Sequence, residues 1–311
     1  MIWLGWRQQR TETMIAAALL VLVALILVPS GIEMAHQYTR DGLSHCLGFT
    51  PSQACDEAVG SLEQRFNKFI DLIGWFNLVP GLFGVALAAP FALELERGTH
   101  RLAWTQSITR RRWVVTKLGL AVSSTVLAAA VLIGILIWWR APLVRLDGRM
   151  DTGAFDSQGT VILGYSLFAL GLALAVGAVW RRAIPAVMVA FVGYFVARIF
   201  TDTWLRQRLV TPHKLTWAAG RDDPRALWHA WKISETIVSI NSHSGLPPMA
   251  ECIRKGATNV KQCLAVNGGH LQAVFEPASN FWPLQLVETA MFGGVAIALI
   301  AFAGWWTLHR E

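Results

Sequence analysis

Long apolar stretches alternate with shorter polar ones along this chain, and the pattern predicts six membrane-spanning helices. A helix needs about 20 apolar residues to cross a bilayer core about 30 Å thick, and each stretch comes close to that length. The predicted spans are residues 14–32, 69–93, 114–139, 160–180, 183–200 and 284–306. The predicted fold class is therefore an all-α polytopic membrane protein with six transmembrane helices.

Composition supports the same class. Of the 311 residues, 54% are hydrophobic and only 15% are charged, whereas a soluble domain carries about 25% charged residues. The net charge is +7, which membrane proteins acquire by keeping arginine at their cytoplasmic ends. A nucleic-acid partner is therefore not predicted, and membrane lipid is.

The short connections predict the orientation of the spans. Arginine is dense in residues 1–13, 94–113 and 307–311 and at the Arg181-Arg182 turn. Short loops rich in Lys and Arg stay on the cytoplasmic side of a membrane. We therefore expect a multi-pass protein of the plasma membrane with both termini in the cytoplasm.

All four cysteines lie in the two long connections that this orientation places outside the cell. Disulfides persist in oxidising compartments, and four cysteines allow three pairings. The local pairing, Cys46–Cys55 with Cys252–Cys263, closes two short loops and is the predicted one, with four free thiols as the alternative. No CxxC pair occurs, so no metal site is predicted.

The chain divides into three regions. Residues 1–201 hold five spans and the basic segment at 94–113, residues 202–283 form an extracellular segment, and residues 284–311 hold the sixth span and a cytoplasmic tail. The extracellular segment is rich in tryptophan and contains two of the cysteines. We expect a small ordered cap, braced by a disulfide and lying partly along the membrane surface.

The basic segment between spans two and three contains signals for a short helix of its own. Gly98 ends the preceding helix, residues 102–104 are apolar, and Thr109 is a suitable N-cap for span three. A short interfacial helix held between two long ones would suit docking of a cytoplasmic partner. The alternative is a basic loop that only fixes topology.

This segment resembles a known family. The stretch Glu94-x-Glu96-Arg97-Gly98-Thr99, followed by Ile108-Thr109-Arg110, is similar to the first cytoplasmic loop of ABC-2-type (ABCG-like) exporter permeases. The six-span layout is similar too, and residues 2–7 resemble the family's amphipathic N-terminal interfacial helix. Residues 104–110 resemble an actinobacterial branch that exports drugs or antibiotics, although Ser107 stands where a proline is common.

The resemblance implies that this chain works with a separate ATPase subunit. In such permeases this segment is the coupling helix that contacts the ATPase, and the turn after span four makes a second contact. The implied ATPase-coupling residues are Glu94, Glu96, Arg97, Gly98, Thr99, Arg101, Trp104, Arg181 and Arg182. No GxxxxGK[ST] motif occurs, so no phosphate-binding loop is present.

ATP and Mg would accordingly be bound by a separate ATPase subunit, present in two copies, and this chain would hold no cofactor. The resemblance also implies a second permease subunit, either an identical chain or a close homologue. Together they would form an ATP-driven translocase in which this chain is not itself an enzyme.

Aromatic residues recur on one face of span two and one face of span five. In the resembled family these two spans line the substrate path. The implied path residues are Phe76, Asn77, Val79, Phe83, Phe191, Tyr194 and Phe195. They would suit an amphipathic substrate, and the alternative is ordinary packing against helices or lipid.

Three charged residues fall near the outer ends of the spans, namely Asp71, Arg198 and Glu288. Charged groups in hydrocarbon are expensive and often functional. We expect an outer ion cluster that acts as an extracellular gate or proton-sensitive latch. The alternative is that each side chain extends separately to the lipid head groups.

The function that these features indicate is the permease subunit of an exporter that moves a small or amphipathic substrate outward. The alternative is a sensor or immunity permease whose extracellular segment binds a ligand without transport. A membrane enzyme would require paired carboxylates or a His-Asp set at one membrane face, and the sequence offers no convincing set. No catalytic residue is therefore predicted.

Overall fold

The computed structural model describes residues 2–46, 53–99, 109–150, 152–219, 221, 223–238, 263–265 and 269–310. Most of them are helical. The helices are α1 (Ile2–Arg40), α2 (Gln53–Trp75), α3 (Val79–Glu96), α4 (Arg110–Asp147), α5 (Thr152–Asp156), α6 (Val161–Trp180), α7 (Ala183–Phe200), α8 (Arg206–Leu209) and α9 (Phe281–His309). A 3-10 turn at Phe76–Leu78 joins α2 to α3, and a π-helical turn at Thr201–Leu205 joins α7 to α8.

All six predicted spans are confirmed as helices long and apolar enough to cross a membrane. They lie within Gln9–Arg40, Glu57–Glu96, Arg110–Asp147, Val161–Trp180, Ala183–Leu209 and Ala278–His309. Several of these helices continue well past their apolar stretches. Backbone hydrogen bonding within a helix does not require lipid, so hydropathy predicts where a helix is apolar and not where it ends.

The spans give the molecule two ends of different character. The arginine-rich end carries Arg97, Arg110–Arg112, the Arg181-Arg182 turn and Arg310, and the sheet end carries the small β-sheet described below. Exposed tryptophans lie near both ends, as in the aromatic belts of membrane proteins. On α9, Trp282 and Trp305 are separated by about 34 Å of helix, close to the thickness of a bilayer core.

Helix α6 is the centre of the bundle, since 72% of its apolar window is buried, against 22% for that of α9. Glycines allow its close packing. A Cβ on Gly84 of α3 would lie 2.4 Å from the backbone oxygen of Ser166, and one on Gly171 would lie 3.0 Å from the backbone oxygen of Ala296. Glycine therefore allows α6 to pack closely against α3 and α9.

Gly293 and Gly294 in the sixth span do not serve such packing. A Cβ on either would meet no described atom within 4 Å. These two glycines lie on the face of α9 that points away from α6, whereas Phe292 and Ala296 on the other face contact α6.

The segment at 202–283 contains a three-stranded antiparallel sheet, which corrects the all-α prediction for this part of the chain. Its strands are β1 (His213–Ala218), β2 (Trp231–Val238) and β3 (His270–Glu276), in the order β1-β3-β2. The register pairs His213 with Phe275 and Ala218 with His270. Trp217, Leu271 and Phe275 belong to a separate small core on this sheet.

Two further predictions concern the ends of α1 and α2. The N-terminal interfacial piece forms the first turns of α1 and not a separate helix, because no glycine or proline interrupts residues 6–28. Cys46 and Cys55 are joined by a disulfide that connects the region after α1 to α2, with their Cα atoms 5.5 Å apart. Cys252 lies outside the described residues, so the Cys252–Cys263 pair stays a prediction.

Candidate functional site

A mostly buried network of five charged side chains connects four helices, α5, α7, α8 and α9, and the π-helical turn between α7 and α8 at the sheet end. Asp202, with its side chain 35% exposed, is the most accessible member. Three carboxylates and two guanidinium groups take part, from Asp156, Arg198, Asp202, Arg206 and Glu288. Arg198 and Arg206 are about 95% buried, and Glu288 has no exposed surface. We call this set the ion cluster.

Each guanidinium contacts all three carboxylates. Arg206 Nη2 lies 2.6 Å from Asp156 Oδ1, 2.9 Å from Asp202 Oδ1 and 3.1 Å from Glu288 Oε1. Arg198 lies 2.5 Å from Asp156, 3.0 Å from Asp202 and 3.8 Å from Glu288. Arg206 also donates from Nε to Glu288 Oε2 at 3.1 Å, so these two groups are joined through two atoms each. Such pairing uses the planar fork of arginine and is stronger than a single contact.

Aromatic rings complete the surroundings of the cluster. Tyr165 donates its hydroxyl hydrogen to Glu288 and accepts a hydrogen bond from Arg198 at 2.9 Å. The guanidinium of Arg206 lies 4.4 Å from the ring centre of Phe155, and that of Arg198 lies 4.6 Å from the ring centre of Tyr165. Cation–π contacts stabilise charges that have lost water.

Asp156 is the member that lies outside the spans. Burial by itself raises the pKa of its carboxyl group, but the guanidinium groups of Arg198 and Arg206 lower the pKa more. The net effect is a pKa below the usual range for aspartate, so Asp156 carries its negative charge at neutral pH. The cluster sets three carboxyl groups against two guanidinium groups, and Asp202 is the one partly exposed member.

The predicted outer cluster is present in part. Arg198 and Glu288 come together, and both are buried in protein and do not extend to the head groups. Asp71 does not join them, because it lies on an exposed face of α2 and forms no ion pair with any residue that the structure describes. The sequence analysis missed Asp156, Asp202 and Arg206.

At the arginine-rich end, two carboxylates of α3 connect neighbouring helices. Glu94 forms a mostly buried ion pair with Lys117 of α4. The carboxylate of Glu96 accepts a hydrogen bond at 2.8 Å from the backbone N–H of Ala183, the first residue of α7. A carboxylate at a helix N-terminus satisfies an unpaired donor and interacts favourably with the helix dipole.

The other predicted coupling residues surround these contacts. Gly98 has a φ of +67°, and Arg181 has a φ of +53° and donates to the backbone oxygen of Arg310 at 3.4 Å. Arg97, Thr99 and Arg182 are exposed.

The hydroxyl of Thr109 accepts from Arg112 N at 3.4 Å and so caps α4. Arg101 and Trp104 lie outside the described residues.

The predicted path residues lie where α3 meets α7, and most of them are covered. Val79, Phe83 and Tyr194 are buried, and Phe76, Asn77 and Phe191 are partly so. The ring of Tyr194 covers Gly81, where a Cβ would lie 2.6 Å from it, and its hydroxyl donates to the backbone oxygen of Asn77. Only Phe195 among the seven is exposed, at 45%.

Six apolar helices around a buried polar cluster define a multi-pass membrane protein. A family model described as ABC-2 membrane transporter related matches residues 17–206, more than half of the chain, and the chain belongs to that family. It is therefore the membrane permease of an ABC transporter, without an ATPase motif of its own, and the family implies an ABC ATPase subunit as its partner. No curated protein and no solved structure matches the chain.

Proposed function

We propose that the chain is the permease of an exporter, driven by two copies of a separate ATPase that docks at the arginine-rich end. The observation that carries this proposal is the hydrogen bond between Glu96 and Ala183 N. It connects the start of the proposed coupling segment, 94–104, to the helix that follows the Arg181-Arg182 turn. If the ATPase displaced the coupling segment or the Arg181-Arg182 turn, α3 and α7 would therefore move together.

The proposed orientation has the arginine-rich end in the cytoplasm. The basic residues of the short connections support it, and so does the Cys46–Cys55 disulfide at the opposite end, since disulfides belong to oxidising compartments. Both termini would then be cytoplasmic, and the sheet would be extracellular.

The proposed cargo is a small or amphipathic molecule, of the drug or antibiotic type that the resembled actinobacterial branch exports. Phe195 and its exposed apolar neighbours on α7 would face the path, and a second permease subunit would form the opposite wall. The covered residues Phe83 and Tyr194 would then support the path from behind. Movement of α3 against α7 would be needed to expose them.

Charge reversal at the docking surface tests the proposal. We expect Arg182→Glu and Arg101→Glu each to lower co-purification of a co-expressed ABC ATPase about tenfold or more, because like charges replace complementary ones. The measurement is the ATPase-to-permease ratio after affinity purification of the permease in detergent.

The matched control is Lys214→Glu, a charge reversal on an exposed strand at the sheet end. It should leave the ratio unchanged. If Arg182→Glu and Arg101→Glu bind the ATPase as well as the unmodified chain does, the docking surface is elsewhere. Export would be read separately, as ATP-dependent loss of an amphipathic dye from liposomes that contain the complex.

A further inference from the structure

A cleft of about 560 Å³ opens at the sheet end, between α2, the last turns of α4 and the start of β2. Binding pockets for small molecules have volumes of about 300–1,000 Å³. The cleft is separate from the ion cluster and from the arginine-rich end, and neither the family nor the proposed function assigns it a role.

The depth of the cleft places it at the membrane surface. Trp138 is exposed on α4 near the sheet end, where an interfacial tryptophan belongs. Arg140 follows it by two residues, and Asp147 follows by nine, or about 13 Å of helix. The cleft therefore begins at the level of the aromatic belt and extends outward through the head-group layer.

The lining carries charges of both signs in equal number. Glu63 and Asp147 supply two carboxylates, and Arg140 and Lys232 supply two cations. Arg140 is only 4% exposed, and its Nη1 donates to Ser157 Oγ at 3.0 Å, which fixes the position of its guanidinium. Lys232 also pairs with Asp223 at 2.7 Å, so a ligand's anionic group would share Lys232 with that carboxylate. Charges of both signs thus line one small volume.

The rest of the lining combines the polar side chains of Asn67 and His229 with apolar and aromatic ones. Ile70, Leu143 and Val144 contribute aliphatic surface, and Trp231 contributes an indole ring. A ligand that fits must therefore combine a charged head with an apolar body. Small-molecule sites likewise combine apolar surface with placed polar groups, although this lining is more polar than most.

The wall formed by the extracellular segment is fastened to α4. Gly148 has a φ of +85°, and a Cβ there would lie 2.4 Å from the Cβ of His229. His229 itself has a φ of +56°, and its Nε2 lies 2.8 Å from the backbone oxygen of Leu146. Holding a non-glycine residue in this conformation costs about 1–3 kcal/mol. The packing of His229 against Gly148 and its hydrogen bond to Leu146 must therefore offset that cost.

We propose that this cleft binds an amphiphile whose head group carries both an amine and an anionic group. The amine lies against Glu63 and Asp147, the anionic group lies against Arg140 and Lys232, and the apolar body lies along Leu143 and Trp231. A head group of a single sign would be attracted by one of the two pairs and repelled by the other. Such a head group occurs on a phospholipid of the outer leaflet and on a peptide-like cargo.

Native mass spectrometry of the full chain in maltoside micelles tests the proposal. Phosphatidylethanolamine and phosphatidylglycerol are added at equal concentration, and the bound copies of each are counted. We expect phosphatidylethanolamine to be retained about tenfold more, since a hydrogen bond to a charged partner contributes about 1.5–3 kcal/mol. No ATPase is present, so this result is independent of whether the ATPase docks as proposed.

Two pairs of variants connect that preference to the cleft. Glu63→Gln should remove the preference for the amine, whereas Glu235→Gln, on the exposed part of β2, should not. Asn67→Trp places an indole in the cleft and should abolish retention, whereas Gln64→Trp, one turn away on α2 and outside the cleft, should not. All four positions lie at the protein surface or at the rim, so folding is little affected.

A second arm uses the zwitterionic peptide trileucine in place of lipid and identifies the source of the ligand. Retention of phosphatidylethanolamine alone makes the cleft a lipid site, and retention of trileucine makes it a site for peptide-like cargo. Equal retention of both phospholipids without trileucine binding overturns the proposal. So does an Asn67→Trp variant that retains the ligand as well as Gln64→Trp does.

Discussion

Replacement of Arg206 by methionine is expected to lower the free energy of unfolding by about 3–5 kcal/mol, the usual cost of removing one partner from a buried ion pair. The variant would leave Asp156, Asp202 and Glu288 to share the single guanidinium of Arg198. Three carboxylates with one cation in a dry site repel one another strongly. Unfolding by dodecyl sulfate in mixed micelles would measure the change.

Arg208→Met is the matched control. Arg208 lies two residues further along the same helix, is exposed, and donates to the backbone oxygen of Trp204 at 2.7 Å. Its loss should cost well under about 1 kcal/mol, as is usual for surface charges. Arg206→Lys should recover only part of the stability, because an ammonium group cannot replace the two-atom fork. Equal effects at positions 206 and 208 would contradict a structural role for the cluster.

Gly84→Ala is expected to prevent correct packing of α3 on α6. The added Cβ would lie 2.4 Å from the backbone oxygen of Ser166 and 2.6 Å from the backbone nitrogen of Leu170. Backbone atoms of the central helix cannot move aside as a side chain can, so the two helices would have to separate. Overpacking of this kind costs about 1–3 kcal/mol or more, and the loss would appear as a lower midpoint of thermal unfolding in detergent.

Gly119→Ala makes the same chemical change where there is room for it. No described atom lies within 4 Å of a Cβ at Gly119, and alanine favours a helix over glycine by about 1 kcal/mol. This variant should be as stable as the unmodified chain or slightly more so. If both substitutions leave the midpoint unchanged, then α3 and α6 do not pack as closely as described.

The six spans could be predicted because each needs a long apolar stretch, which hydropathy detects directly. The sheet could not, because β1 and β3 are far apart in sequence and their pairing depends on long-range contacts. The alternation of Leu271, Ala273 and Phe275 with His270 and Gln272 in β3 was a local signal that could have indicated a strand. The lengths of α1, α2 and α4 were also underestimated, since their polar ends leave no hydropathy signal.

The ion cluster was predicted only where charge interrupts an apolar stretch. Arg198 and Glu288 stand inside spans and attract attention, whereas Arg206 follows the apolar stretch and was assigned to the extracellular segment. The spacing of Arg198, Asp202 and Arg206 at intervals of four residues was a signal that could have found it. Hydropathy alone places Asp71 at the same depth as Arg198 and Glu288. It cannot show that Asp71 lies on the exposed side of α2, away from the other two residues.

The π-helical turn at Thr201–Leu205 restricts which changes of length this part of the chain can tolerate. A π-helical turn closes its hydrogen bonds one residue further along than an α-helical turn does, so it holds one extra residue within the helix. Removal of one residue from this turn would convert it to regular α-helix and leave Arg206 against Asp156 and Glu288. A further inserted residue would instead rotate Arg206 by about 100° relative to Arg198. The chain between the two arginines should therefore tolerate loss of one residue better than gain of one.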